Sequence, residues 1–404
     1  MNKGFQMNHT FPTRGEVMEK IFDRWEFTTK EEVIAVDDAL GRVPSKDMYA
    51  QFSVPVVRTS ALDGIAVHSE AFASGMPDTS TWEYGKDFVR ADTGDDFPDA
   101  FDAVVRIEFV EIDKDNKVTL TKEMEVKEGT GVRPAGSIVR EGQRIARGDR
   151  PLRAMDLSTL VMGGVNEVPV YQKPTIAFIP TGNELVAEGC VPSRGQTVNS
   201  NSILIKNLLL EMGADPVIYP IVRDNKKELE EVVYRAMEEA DLVLINGGSS
   251  MGEEDFNARF LEENGEVIVH GVSAGPGQPV CISFFGNKPV FNIPGPPIGL
   301  FYVTDWCIKP MVCRMLHIPV PQRRKVEGLL TEDMKTPPKN EKLSKLNLKK
   351  NEDGEYEVEC LMPGQSTVAE NMCSDALYVS ELEGSVIKAG EKIEVEMLIG
   401  EEYL

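Results

Sequence analysis

The chain has 404 residues, too many for one core, and 41% hydrophobic with 27% charged residues is the composition of a soluble globular protein of two to four domains. A formal net charge of −23 argues against a general nucleic-acid binder, and no apolar run is long enough to span a membrane. Any anion site must therefore be built from local N–H groups and a few Lys or Arg, against the field of the whole molecule. The six cysteines form no CxxC pair and no metal spacing, and the first ten residues lack the apolar core of a signal peptide, so reduced thiols and a cytoplasmic location are expected.

In chain order, residues 15–27 have the pattern of a helix and 31–40 that of a shorter one. Residues 54–145 read as β-rich, with a hairpin in which 104–112 and 118–122 flank a polar turn at 113–117. That turn lacks the glycine and distal glutamate of a calcium loop. From residue 174 strands and helices alternate. A strand at 175–179 ends in Pro180-Thr181-Gly182, a helix covers 200–212 and stops at Gly213, and a second strand spans 216–222. Asn225 and Glu228 form a candidate capping box before a helix whose apolar positions run Leu229, Val232, Val233, Ala236, Met237, Ala240. The apolar run 242–246 reads as a buried strand, followed by a helix to about 264, strands near 267–270, 280–284 and 289–293, and a helix over 297–315. This alternation implies a mainly parallel sheet covered on both faces, with ligands bound at the carboxyl ends of its strands. Residues 332–345, rich in Lys and Pro, read as a linker, and 346–404 as short strands with a hairpin at Asp353-Gly354.

The strongest chemical signal follows the 242–246 strand. Gly247-Gly248-Ser249-Ser250, with Gly252 and Asp255, is a Gly-rich turn opening a helix, the form in which α/β proteins hold oxyanions. Asp255 could hold a cation beside such an anion. Thr181-Gly182-Asn183-Glu184 ends a neighbouring strand, and Glu184 serves either as a ligand or proton acceptor or as a solvated loop residue. Asp224 by itself reads better as a helix cap than as a site residue. The segments 59–67 and 92–98 are turn-like, and the histidines at 9, 68, 270 and 317 suggest neither a triad nor a zinc site.

Taken together and in this order, the motifs resemble the molybdopterin molybdenumtransferase family of molybdenum-cofactor biosynthesis, which includes the E domain of gephyrin. Ala39-Leu40-Gly41-Arg42-Val43 resembles its Ala-Leu-Gly-Arg segment, and residues 60–67 (Ser-Ala-Leu-Asp-Gly-Ile-Ala-Val) its Ser-Ala-Met-Asp-Gly-Tyr-Ala-Val. Thr93-Gly94 followed by Asp102-Ala103-Val104-Val105, Thr181-Gly182-Asn183-Glu184-Leu185, and residues 247–255 are similar to three further family motifs. The resemblance implies four domains: an elongated discontinuous domain I (1–50 with 146–173), a β-rich inserted domain II (51–145), an α/β molybdopterin-binding domain III (174–328) and a small β-barrel domain IV (329–404). It implies a homodimer whose cleft lies between domain III of one subunit and domain II of the other. The implied reaction takes adenylylated molybdopterin and molybdate, releases AMP and inserts molybdenum, with Mg2+ or another divalent cation. Carried over by motif, Asp63, Glu184, Asp224 and Asp255 would be catalytic, the last three holding the cation. Ser60, Thr93, Gly94, Thr181, Gly182, Gly247, Gly248, Ser249, Ser250, Gly252, Gln278, Pro294 and Gly295 would bind substrate.

The chain departs from the family at charged positions. The family's Lys-Pro-Gly-Lys-Pro is here Gly275-Pro276-Gly277-Gln278-Pro279, its Leu-Pro-Gly-Asn-Pro has Pro296 for Asn, and its Arg-x-x-Gly-Glu-Asp-Ile has Ser137 and Ile138 for the two acids. Asn183 replaces an Asp. Loss of two lysines weakens any charge-assisted grip on an oxyanion. Three readings follow: a working molybdenumtransferase with a shifted site, for molybdate, tungstate or another pterin form; a paralogue that binds molybdopterin or a protein partner without turnover; and a nucleotidyl- or phosphoryl-transfer enzyme. Arg58, Arg133 and Arg140 are candidates to replace the lysines.

Overall fold

The computed structural model describes residues 11–247, 256–361 and 366–404. They fold as two units, Met1–Lys30 with Gln172–Leu404, and Glu31–Tyr171.

The first unit is built on a six-stranded sheet. Its elements are β1 (Thr175–Pro180), α1 (Asn201–Glu211), β2 (Asp215–Ile218), α2 (Lys226–Glu239), β3 (Leu242–Asn246), α3 (Phe256–Asn264), β4 (Glu266–His270), β5 (Cys281–Phe285) and β6 (Lys288–Ile293). The strand order is β2-β1-β3-β6-β5-β4. The first four are mutually parallel, and β5 and β4 add antiparallel. Ala177, Ile179, Val243 and Ile245 point to one face, where Leu229 and Val233 of α2 and Phe260 and Leu261 of α3 cover them. The alternate residues Ile176, Phe178, Leu244 and Phe291 are fully buried on the other face, which explains why these strands read as unbroken apolar runs. The helix after β6 begins as α4 (Pro297–Val303), passes through a π-helical turn (Thr304–Ile308) and continues as α5 (Lys309–Met315). Asn225 caps α2 by accepting from the N–H groups of Lys227 and Glu228. The return half of the expected capping box does not form, because the Asn225 N–H donates to the Arg223 carbonyl at 2.6 Å instead.

Beyond α5, β7 (Lys325–Leu330), β8 (Glu341–Lys350), β9 (Tyr356–Cys360), β10 (Ala376–Val379) and β11 (Lys392–Met397) close a five-stranded barrel in the order β8-β9-β7-β11-β10 and back to β8. The Lys/Pro-rich stretch expected as a linker is instead structured, with a strand at Met334–Thr336 and the start of β8. Leu346 and Leu348 fill the barrel while Leu343 and Lys345 are buried from the opposite side of the strand, so the lysines do not mark a solvated segment. A short strand, Ala274–Gly275, pairs with the beginning of β8 and joins the loop after β4 to the barrel. The N-terminal helix (Arg14–Arg24) belongs to this unit, and Arg14 forms a two-pronged ion pair with Glu341 at 2.7 and 3.0 Å.

In the second unit, Glu31–Ala35 is a strand paired antiparallel with Glu167–Tyr171, not the helix expected there. Alternating exposure along it and the β-branched Val33 and Ile34 suit a strand. A three-stranded sheet holds Gly64–Val67 between Phe88–Ala91 and Ala103–Arg106. The expected long strand over 104–112 is broken by a 3-10 turn at Ile107–Phe109, and only Val110–Ile112 pairs with Val118–Leu120.

Candidate functional site

Four parallel strands deliver their carboxyl ends to one edge of the first unit's sheet, and four loops carrying expected site residues meet there. Thr181 donates its N–H to Asn246 O at 2.8 Å, and Gly182 donates to Val222 O at 3.1 Å. These bonds tie the β1 loop to the ends of its two neighbours. Gly247 has φ +131°, and a Cβ there would lie 2.5 Å from the Thr181 carbonyl oxygen, so only glycine permits this approach. Gly182, with φ +144°, lies beneath the Glu184 carboxylate.

Below the loops is a floor of neutral amides. Asn246 donates to Pro294 O at 2.6 Å, Asn201 to Asn246 Oδ1 at 2.9 Å and Gly295 O at 2.6 Å, and Asn257 to Thr181 Oγ1 at 2.9 Å and Gly247 O at 2.7 Å. All four polar side chains are at least nine-tenths buried. Such a network is rigid because each buried group depends on the others. Above it is a cavity of about 260 Å³ lined by Thr181, Glu184, Leu185, Asn201, Asn246, Gly247, Gly295, Pro296 and others.

Glu184 and Asp224 stand exposed at adjoining strand ends. Asn183 Oδ1 accepts from Asp224 N at 3.2 Å, and Arg223 Nη1 donates to the carbonyls of Gly182, Asn183 and Leu185 at 3.0–3.2 Å. Both are hard oxygen donors of the kind a divalent cation takes, and among the described residues no group of three or more His, Cys, Asp or Glu is gathered to hold one. Gly248, Ser249, Ser250, Gly252 and Asp255 lie outside the described residues.

A second cavity, of about 380 Å³, opens between the sheet's loops and the barrel. Its lining includes Gly275 and Pro276, the segment where the family's first lysine is missing, and also Ile298, Asn340, Ser344 and Lys345. Lys345 is only 4% exposed, and its Nζ sits 3.7 Å from the centre of the Phe301 ring. No carboxylate pairs with it among the described residues. Burial, reinforced by the positive charge of Arg323 and opposed by Asp305, pushes its amine down to about 8. Asn340 Oδ1 and Ser344 Oγ are buried without hydrogen-bond partners among the described residues. The Lys345 ammonium is a donor that an oxyanion could accept from, whereas Asn340 Oδ1 is an acceptor and would repel one. Sequence reading missed Lys345 because it stands among other lysines. The available signal was its place in Leu343-Ser344-Lys345-Leu346-Asn347-Leu348, where strand alternation puts it beside Leu343 on a covered face. Gln278 follows in the same loop, half-buried, its carbonyl accepting from Val272 N. The two cavities adjoin: Pro297 lines the first and Ile298 the second, so the first turn of α4 stands between them.

The remaining expected residues lie in the second unit. Asp63 Oδ1 accepts from Thr93 N at 2.7 Å, and this bond holds its carboxyl below the usual range. Gly94 N donates to Ser60 O at 2.9 Å, so Ser60, Asp63, Thr93 and Gly94 form one local cluster. Gly64 is confined by Val105 O, which a Cβ would meet at 1.9 Å. Arg58 stacks on Phe97 and donates to Pro98 O, Arg133 is on a strand paired with Thr59–Ser60, and Arg140 packs against Gly136. Ile138 is half exposed and donates its N–H to Val54 O.

Two family models match in series. Residues 13–164 match the MoeA N-terminal region (domain I and II), and residues 177–313 match a probable molybdopterin binding domain. The molybdopterin molybdenumtransferase of Haemophilus influenzae is 26% identical over 95% of this chain and 98% of its own length. That of Bacillus subtilis is 27% identical over 76% of this chain and 75% of its own. A molybdopterin biosynthesis MoeA protein from Pyrococcus horikoshii has the same fold, with a TM-score of 0.79 at 24% identity over 96% of this chain and 100% of that one. With both halves of the chain matched in order and a relative of that name matched over nearly its whole length, the chain belongs to the MoeA family, the molybdopterin molybdenumtransferases of molybdenum-cofactor biosynthesis.

Proposed function

We propose that the chain takes adenylylated molybdopterin and molybdate and inserts molybdenum into the pterin dithiolene with release of AMP. The observation that carries this reading is the pair of cavities on either side of the first turn of α4, one floored by neutral amides and the other holding an unpaired lysine. A substrate pair of one organic molecule and one small oxyanion calls for two neighbouring compartments. The lysines missing at Gly275 and Gln278 favour a non-catalytic paralogue only if nothing replaces them, and Lys345 offers a replacement charge beside the same loop.

In this reading the Gly247 turn, continuing through Gly248, Ser249, Ser250 and Gly252, receives phosphate oxygens on backbone N–H groups, with Thr181, Gly182, Pro294 and Gly295 shaping its rim. Glu184, Asp224 and Asp255 would hold Mg2+ or another divalent cation, which supplies charge to offset the phosphate. Arg223 keeps the Glu184 loop against Asp224, Lys345 holds molybdate, and Gln278 is a candidate substrate contact by motif alone. The protein would act in the cytoplasm as a homodimer, with Asp63, Ser60, Thr93 and Gly94 of the partner's domain II completing the cleft. Exposure of Leu40, Met155, Val161 and Met162 in the single chain supports a face covered by a second copy.

The test is complementation of a molybdenumtransferase-null strain, paired with AMP release from adenylylated molybdopterin in the presence of molybdate. Growth on a molybdoenzyme-dependent medium and stoichiometric AMP are expected from the wild type, and from neither Glu184→Ala nor Asp255→Ala. Full insertion activity in both variants would falsify the assignment.

A further inference from the structure

Phe301 stands on α4 one turn beyond Ile298, so the two side chains share a helix face, and Ile298 lines the second cavity. The Phe301 ring centre is 3.7 Å from Lys345 Nζ, which puts the charged end of the lysine over the ring. Lys345 lines the same cavity from β8. Its Nζ donates to no acceptor among the described residues and, unlike Asn340 Oδ1 and Ser344 Oγ, is not sealed from solvent. The charged groups nearby do not replace the ring. Asp305 attracts the amine but is already held by Arg323 at 2.9 Å and Lys309 at 3.6 Å, and Arg323 itself repels it. Lys342, on the same strand and lining the same cavity, adds a further positive charge and reaches the Lys335 carbonyl at 3.4 Å. On the flanking strands, burial raises the Cys360 thiol to about 11 and raises the Tyr378 hydroxyl, so both are neutral near pH 7.

A carboxylate under this amine would stabilise its charge but would also take its hydrogen bonds, leaving few for an incoming anion. An aliphatic side chain would leave the donors free and the charge unsupported in a buried place. A ring face avoids both faults. Its quadrupole attracts the ammonium, and it occupies at most one of the three N–H directions. We infer that Phe301 is a positioning residue for the oxyanion site: its ring keeps the Lys345 ammonium charged at the cavity with N–H donors free to bind. The inference rests on the proposed use of Lys345 for molybdate. It names the group that lets one lysine act where those expected at Gly275 and Gln278 are absent.

The experiment takes two readouts from the full-length protein. One is the Lys345 titration midpoint, from NMR of lysine-labelled protein with the signal assigned by its loss in Lys345→Met. The other is molybdate affinity by calorimetry from pH 6 to 9. In Phe301→Leu the midpoint should fall by about one unit, as expected for loss of a desolvated cation–π contact. Starting from a midpoint of about 8, molybdate affinity should then drop roughly eightfold at pH 8.5 and hardly at all at pH 6. Phe301→Tyr, which keeps the ring face, should retain both values. A ring that only packs would lower affinity equally at every pH. That result, an unmoved midpoint in Phe301→Leu, or a wild-type protein that binds no molybdate overturns the inference. Should Phe301→Leu not fold, the wild type still decides. Its Phe301 ring signal, assigned with Phe301→Tyr, should titrate with the Lys345 midpoint, and a ring that does not titrate overturns the inference. AMP release judges the proposed reaction separately, since it can persist with Phe301 uninvolved and the midpoint can shift in a chain that releases no AMP.

Discussion

Lys345 shows how a single residue can be costly to the fold and useful to the site. A lysine this buried and unpaired disfavours its own charge, and its amine is pushed down to about 8 from an ordinary 10.5. Below pH 8 the amine is protonated in both folded and unfolded chains and the full penalty applies. Between about 8 and 10.5 the unfolded chain holds the additional proton, so stability should rise with pH by up to about 3 kcal/mol across that window. Urea midpoints of wild type and Lys345→Met, taken from pH 7 to 10.5, test this. The variant should be more stable at pH 7 and should lose the slope. Molybdate should raise the wild-type midpoint at pH 7 and leave that of the variant unchanged. A variant that is destabilised and keeps the slope would remove Lys345 from this role. Little of this was visible in the sequence, where Lys342, Lys345, Lys349 and Lys350 look equally solvated. The pairing of β8 with β10 and the packing of Phe301 over the amine distinguish one of them.

Among elements, β1 and β3 were legible because both of their faces are buried and their residues therefore form continuous apolar runs. The strand at Glu31–Ala35 was not, since its five residues expose every other side chain and their partner strand is more than 130 residues away. The amide floor was illegible for the same reason. Asn201 bonds residues 45 and 94 positions further on, and no local pattern marks an asparagine for that use. Arg223 belongs to this class too. It is exposed, it follows β2, and its importance lies in three carbonyls of the β1 loop. Arg223→Met should leave the global melting midpoint within about 2 °C, because an exposed loop contributes little to the core. Amide hydrogen exchange over residues 181–187 should accelerate at least fivefold, corresponding to loss of about 1 kcal/mol of local stability. Unchanged exchange there would mean that the loop holds itself.

At the scale of the whole molecule, the charge of −23 opposes the approach of any phosphate or molybdate. Under the proposed function, local groups such as Lys345 would act within a Debye length against that field. Association of an anionic nucleotide should therefore speed up as salt is raised from about 20 to about 150 mM, as the repulsion is screened. Stopped-flow measurement of the on-rate decides it, and a rate that falls with salt would indicate a positive funnel that the formal charge conceals. Overall composition was thus a poor guide to what the chain binds.

Asn246 and Gly247 form an Asn-Gly pair, the dipeptide in which the following backbone nitrogen most readily attacks the side-chain amide to close a succinimide. In the folded protein that reaction is restrained: the Asn246 amide is held by Pro294, and the Gly247 N–H points to Ile293 O. In an unfolded chain nothing restrains it. A molecule that ages in that state acquires Asp or isoAsp at 246, and a carboxylate there would face the Pro294 carbonyl, acceptor against acceptor. Such a chain cannot rebuild the floor of its own cavity. The amide network therefore acts as chemical protection, and time spent unfolded should be recorded as irreversible loss of refolding competence.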